Sequence, residues 1–305
     1  MAVFGTRPEA IKLAPVIREA KGRDTLDIEV VVTAQHREML DDVLEAFNIK
    51  PDRDLNIMAP GQSLFQVTAR IVEAMDKILR ESDPDAVIIQ GDTTTAFVAA
   101  LSAYYLQKKI AHVEAGLRTE DRFAPFPEEA NRRMAACLAD YHFAPTEAAR
   151  QNLLRENIPA ESILVTGNTV IDALLWMKDR VTGIPCPVPE VSSLLYAHEK
   201  MVLITGHRRE NFGEPFRRIC SAFRRLAEKH PQTLFIYPVH LNPNVQRPVQ
   251  ESLGDLPNFH LLPPLSYPKF VWFLQRATFL ITDSGGIQEE APALGKPVLV
   301  TREKT

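Results

Sequence analysis

Short runs rich in β-branched residues alternate with longer amphipathic stretches almost from one end of the chain to the other, and this alternation constrains the fold most. Parallel strands need a crossover of a dozen or more residues, usually a helix, so the pattern predicts parallel sheets covered by helices. Strands are predicted at 2–4, 28–33, 86–90, 110–113, 141–144 and 163–166, with helices notably over 63–81, 93–107, 128–139 and near 169–180. The segment 183–190 carries three prolines, which neither a helix interior nor a central strand accepts, and it reads as a connection. A second series of strands follows at 202–205, 234–237, 260–262, 279–282 and 298–300. At 305 residues the chain exceeds what one core organises comfortably. The reading is α/β, with two Rossmann-like domains: 1–167, and 168–305 including the linker.

Charge narrows the function classes. With 35 Lys and Arg against 39 Asp and Glu, the net charge is -4, so no global basic field favours nucleic acid or an anionic membrane. Any phosphate is held locally. The three cysteines, Cys137, Cys186 and Cys220, are far apart and in no C-x-x-C pair, which reads as free thiols in a reducing cytosol. No apolar run has the length a bilayer needs and no signal segment opens the chain, so the expectation is a soluble, cytoplasmic protein. None of the 13 glycines forms G-x-G-x-x-G or a P-loop, and H-E-x-x-H is missing, so neither a nicotinamide cofactor nor a metal is expected.

The notable polar residues sit just after predicted strands, where open α/β sheets bind ligands, and two such domains point to a cleft between them. Gly5-Thr-Arg-Pro-Glu9 carries a T-x-x-E capping box and an early proline, but Arg7 is a cation in a first turn that prefers anions, which an anionic ligand explains. Asp283-Ser-Gly-Gly-Ile-Gln-Glu-Glu290 offers Ser284 and the backbone of Gly285 and Gly286 to a phosphate; a tight serine-capped turn alone would account for the glycines, but Glu289 and Glu290, suited to ribose hydroxyls, favour a nucleotide. In Gly206-His-Arg-Arg-Glu-Asn211, His207 is the preferred phosphate or leaving-group contact, while Arg208 and Arg209 pair with nearby acids or form a solvated loop. Three carboxylates, Asp92, Glu114 and Glu128, follow strands or open a helix. Asp92 also fits a helix cap and Glu128 a dipole-stabilising acid, whereas Glu114 ends a buried strand and needs a partner or a task.

The runs Phe4-Gly-Thr-Arg-Pro-Glu-Ala-Ile-Lys12, Thr33-Ala-Gln-His-Arg37, Gly91-Asp-Thr-Thr-Thr95, His112-Val-Glu-Ala-Gly-Leu-Arg-Thr119, Pro125-Phe-Pro-Glu-Glu129, Thr166-Gly-Asn168, Gly206-His-Arg-Arg-Glu-Asn211, Pro238-Val-His-Leu-Asn-Pro243 and Asp283-Ser-Gly-Gly-Ile-Gln-Glu-Glu290 occur in this order. Together they resemble the non-hydrolysing UDP-N-acetylglucosamine 2-epimerases of bacteria, within the glycosyltransferase-B architecture. The resemblance implies NAD-independent interconversion of UDP-N-acetylglucosamine and UDP-N-acetylmannosamine for cell-surface polysaccharide, by loss and re-addition of UDP across a 2-acetamidoglucal. It makes Asp92, Glu114, Glu128 and His207 catalytic and gives Arg7, Lys12, Ser284, Gly285, Gly286 and Glu290 to the UDP-sugar.

For an activating second substrate molecule the resemblance leaves Gln35, Arg208 and His240, with Glu128, but Glu38 and Gly61 stand where regulated members carry glutamine and arginine. It also implies a homodimer, and a family segment after Thr305 with an arginine and a helix returning to the first domain. Two other readings are a hydrolysing 2-epimerase releasing UDP and free N-acetylmannosamine, and a truncated nucleotide-sugar-binding protein without turnover. The threonine after Gly91-Asp92 speaks for the non-hydrolysing branch, since hydrolysing relatives usually carry arginine there.

Overall fold

The computed structural model describes residues 1–33, 37–57, 59, 61–206 and 212–302, with the side chains of 37–39 left aside. The chain divides into two compact units, Met1–Ala173 and Leu174–Thr305. In the first, seven parallel strands are β1 (Ala2–Phe4), β2 (Val30–Val32), β3 (Arg53–Asp54), β4 (Ala86–Gln90), β5 (Lys109–Val113), β6 (Tyr141–Ala144) and β7 (Ile163–Val165). Their order is β3-β2-β1-β4-β5-β6-β7, the doubly wound pattern that reverses beside the first strand. The crossovers run through α1 (Arg7–Lys21), α2 (Arg37–Ala46), α3 (Leu64–Ser82), α4 (Thr94–Tyr105), α5 (Glu128–Leu138) and α6 (Glu147–Arg155).

Strands buried on both faces read as continuous apolar runs, which is why Ala2-Val-Phe4 and Val30-Val-Val32 were legible. Between them and the helices lies one core. Ile71, Met75 and Leu79 of α3 meet Val87 and Ile89 of β4, and the alanines 96, 99, 100 and 103 let α4 lie close to the sheet. Each large side chain so buried contributes roughly 1.5–3 kcal/mol.

After α7 (Thr169–Val181) and α8 (Pro189–Ala197), the second unit repeats the plan with β8 (Lys200–Thr205), β9 (Thr233–Pro238), β10 (Phe259–Leu262), β11 (Phe279–Thr282) and β12 (Val298–Val300). All pair in parallel in the order β10-β9-β8-β11-β12, with α9 (Glu214–Lys229), α10 (Pro243–Leu253), α11 (Tyr267–Arg276) and α12 (Gly285–Ala293) between them. Its core stacks Phe235 on Phe259 at 5.6 Å and sets Phe223 edge-on to Tyr237.

β3 and the start of α8 escape the sequence reading. β3 has only Arg53 and Asp54, so it carries no apolar signature and exists by pairing with β2. The last proline of the connection opens α8, because proline at a first helical position lacks only an N–H that would be unpaired there anyway. Cys137, Cys186 and Cys220 are free thiols, and burial pushes Cys220 up to about 11. Among the described residues no helix is long and apolar enough to cross a membrane.

Gly116 follows β5 at φ +92°, and a Cβ there would stand 2.3 Å from the carbonyl oxygen of Ala149 on α6. Backbone cannot yield as a side-chain tip can. Gly116→Ala is expected to destabilise the first unit by at least about 1–3 kcal/mol, read as a lower urea midpoint.

Candidate active site

β1, β4 and β5 are neighbours, so their carboxyl ends bring Gly5-Thr6-Arg7, Gly91-Asp92 and Glu114 to one rim of the first sheet. The order reverses between β1 and β4, which puts Arg7 and Asp92 on either side of the switch point. Glu114 leaves β5 at φ +64°, a left-handed conformation uncommon for a residue with a side chain. Its carboxylate is 10% exposed and draws three donors: Lys12 Nζ at 2.5 Å and Asn168 Nδ2 at 3.0 Å on Oε2, and Gln90 Nε2 at 3.1 Å on Oε1. The partner that a strand-end acid requires is therefore Lys12 of α1, reinforced by two amides.

Asp92 does not cap α4; Thr93 does, its Oγ1 accepting the N–H of Ala96 at 3.0 Å. That leaves the Asp92 carboxylate to pair with Arg132 of α5, which also reaches the buried Glu129 at 3.3 Å. Asn131 Nδ2 donates to the Asp92 carbonyl at 3.0 Å, and His112 Nε2 to the Gly91 carbonyl at 2.8 Å. Glu128 is the first residue of α5, half-buried, on the helix that supplies Asn131 and Arg132. On the other side, Glu9 accepts the N–H groups of Gly5 and Thr6 at 3.0 and 2.7 Å and the Thr93 hydroxyl at 2.6 Å. Burial pushes the Glu9 carboxyl above its ordinary range against the pull of those donors.

In the second unit β9, β8 and β11 are adjacent, and their exits carry His240, Gly206 and Asp283-Ser284. Ser284 is the N-cap of α12, so Gly285 and Gly286 form its first turn, where helical N–H groups have no intrahelical acceptor. The Ser284 N–H donates to Thr282 Oγ1, itself 2.6 Å from Thr205 Oγ1 across the paired strands. Glu290 is buried in the next turn and accepts from Tyr267 Oη at 3.2 Å. His240 is exposed, its Nδ1 accepting the N–H of Asn242 at 3.1 Å. Gln35, His207 and Arg208 lie outside the described residues.

The family described as UDP-N-acetylglucosamine 2-epimerase matches residues 18–305. The chain belongs to the UDP-N-acetylglucosamine 2-epimerase family. A Salmonella typhimurium relative, a UDP-N-acetylglucosamine 2-epimerase, is 54% identical over 308 residues, covering 100% of this chain and 82% of its own. Among solved structures, the Neisseria meningitidis UDP-GlcNAc 2-epimerase bound to UDP-GlcNAc is similar with a TM-score of 0.92 at 48% identity, covering 100% and 82%. The Methanocaldococcus jannaschii enzyme in complex with UDP-GlcNAc and UDP gives 0.82 at 32%, covering 100% and 84%.

Against this 2-epimerase background, the residues that sequence reasoning passed over are the supports. Gln90, Asn131, Arg132 and Glu129 are ordinary polar residues in the sequence, and Asn168 stood in a quoted run without a role. β5 and β6 set His112 and His142 side by side. The signal available was position: His112 is two residues before Glu114, and Asn131 is three after Glu128 on one helical face.

His112 is fully buried, and desolvation, partly opposed by the Gly91 carbonyl, lowers its pKa from 6.5 to about 4. As pH falls, the unfolded imidazole takes up a proton before the folded one. The stability tied to this ring is thus complete above about 6.5 and lost between 6.5 and about 4. Wild type is expected to lose about 3 kcal/mol more than His112→Gln over that window, checked by urea unfolding at stepped pH.

Proposed function

We propose that the chain interconverts UDP-N-acetylglucosamine and UDP-N-acetylmannosamine without releasing free sugar, and so supplies mannosamine units for cell-surface polysaccharide. The observation that carries this reading is the Glu114 carboxylate, fixed by Lys12, Gln90 and Asn168 on the strand next to Asp92. The sugar C2 bears no activated proton, so deprotonation needs the C1–O bond to break with it. A carboxylate takes the C2 proton, the C–H electrons become the C1=C2 bond of a 2-acetamidoglucal, and the C1–O electrons leave on the β-phosphate of UDP. Re-addition of UDP at C1 with protonation of C2 from the opposite face completes the inversion. Acid and base groups are needed on both faces, which gives Asp92, Glu114 and Glu128 work. Arg7, His207, Ser284 and the first turn of α12 at Gly285 and Gly286 take up the charge of the departing diphosphate, and Glu290 holds the ribose. Lys12 acts on the sugar side through Glu114.

Turnover of UDP-N-acetylglucosamine in deuterated water is expected to give UDP-N-acetylmannosamine labelled at C2. Free N-acetylmannosamine with stoichiometric UDP would establish the hydrolysing reaction instead, and full retention of the C2 hydrogen would exclude elimination. Asp92→Asn and Glu114→Gln are each expected to lower kcat by about 10²–10⁴-fold, measured by the same assay on folded protein.

Activation by a second substrate molecule is expected to be weak despite Gln35, Arg208 and His240. Glu38 brings a negative charge where an amide donor would serve, and Gly61 removes a cation suited to phosphates. Initial rates in UDP-N-acetylglucosamine should follow a hyperbola; a strongly sigmoidal curve contradicts this.

A further inference from the structure

We infer that His112 and Asn131 are positioning residues that clamp the two peptide planes meeting at the Asp92 Cα, and so fix the spacing of the three carboxylates. This rests on the epimerase reading of the same site. The peptide before Asp92 is held through the Gly91 carbonyl, which accepts from His112 Nε2 at 2.8 Å. The peptide after it is held through the Asp92 carbonyl, which accepts from Asn131 Nδ2 at 3.0 Å. With both planes tied, neither backbone dihedral of Asp92 can turn, and its Cβ direction is set. Arg132 then holds the carboxylate.

The two tethers come from different places. His112 belongs to β5, two residues before Glu114, and the Gly91 N–H also donates to β5, at the Val113 carbonyl at 3.0 Å. Asn131 belongs to α5, whose first residue is Glu128. A shift of β5 or α5 therefore carries Asp92 with it, and the three acids move as one set.

A carbonyl only accepts, so Nε2 carries the ring proton and Nδ1 is left with a bare lone pair. Nδ1 is buried and has no partner among the described residues. An apolar ring of similar size would spare that nitrogen but leave the buried Gly91 carbonyl without this donor. What histidine adds is the N–H on Gly91.

The test compares wild type with His112→Phe, His112→Asn, His112→Gln and Asn131→Ala, using UDP-N-acetylglucosamine with hydrogen or deuterium at C2. Gln carries an amide N–H at about the reach of Nε2; Asn is too short and Phe has no donor. His112→Phe, His112→Asn and Asn131→Ala are expected to lower kcat about 10–100-fold with KM within about twofold. Their isotope effect on kcat should rise above the wild-type value, because proton transfer is the step that misplacement slows. His112→Gln should return to within about threefold of wild type in kcat and to the wild-type isotope effect. A merely structural role lowers the active fraction, which cuts kcat and leaves the isotope effect unmoved; that result overturns the assignment, as does wild-type kcat in any of the three donor-less variants. Circular dichroism selects the folded ones, and His112→Asn stands in where the Phe ring does not fold. If wild type itself forms no epimer, the epimerase reading falls and the clamp with it; epimer from wild type with indifferent variants removes the clamp alone.

Discussion

Glu114 turns out of β5 in a left-handed conformation and meets Lys12, Gln90 and Asn168 at one carboxylate. The donors lie 102, 24 and 54 residues away in the chain, on α1, at the end of β4 and beyond β7. A carboxylate so little exposed is costly without them, and each donor is costly to bury without it. The pair therefore exists only when β1, β4, β5 and β7 have closed in register. A slip of one residue in β5 would carry Glu114 away from all three.

Around that point the buried carboxylates Glu9 and Glu129 have their partners supplied. Glu9 joins the start of α1 to the Thr93 cap of α4, and Glu129 gathers Arg132 and Arg133 and accepts the Thr119 N–H. Buried networks of this kind are stabilising only when nearly complete, and complete ones hold geometry rigidly. The second unit relies on backbone instead: paired threonines at the ends of β8 and β11 lead into a glycine first turn whose N–H groups suit an anion. With a net charge of -4, any anion there would be met by backbone N–H groups rather than by a global basic field.

Relatives with similar folds are UDP-N-acetylglucosamine 2-epimerases, some solved with UDP-GlcNAc or UDP bound. Conservation of fold across 32–48% identity in such structures requires only that core volume and strand order persist. The rim residues have to meet a stricter demand, because each answers to a specific partner atom.

The strands of the α/β fold were legible because strands buried on both faces must be apolar throughout, and the site candidates because loops after parallel strands expose whatever polar residues they hold. Val30-Val-Val32 and Asp283-Ser-Gly-Gly286 announce themselves on those grounds. So did Glu114 as an acid in want of a partner. The sequence was silent on which residue would answer it, since Lys12, Gln90 and Asn168 carry no local mark of meeting there. β3 was invisible for the same reason: two polar residues become a strand only when β2 lies beside them. Local periodicity determined most of the elements, and position after strands or at a helix start picked out the candidate acids. The packing of distant elements decided that Arg132 takes the Asp92 carboxylate and that His112 reaches the carbonyl before it. Hydrogen bonds between side chains far apart in sequence depend on where the sheet puts their backbones, and no window of residues contains that distance.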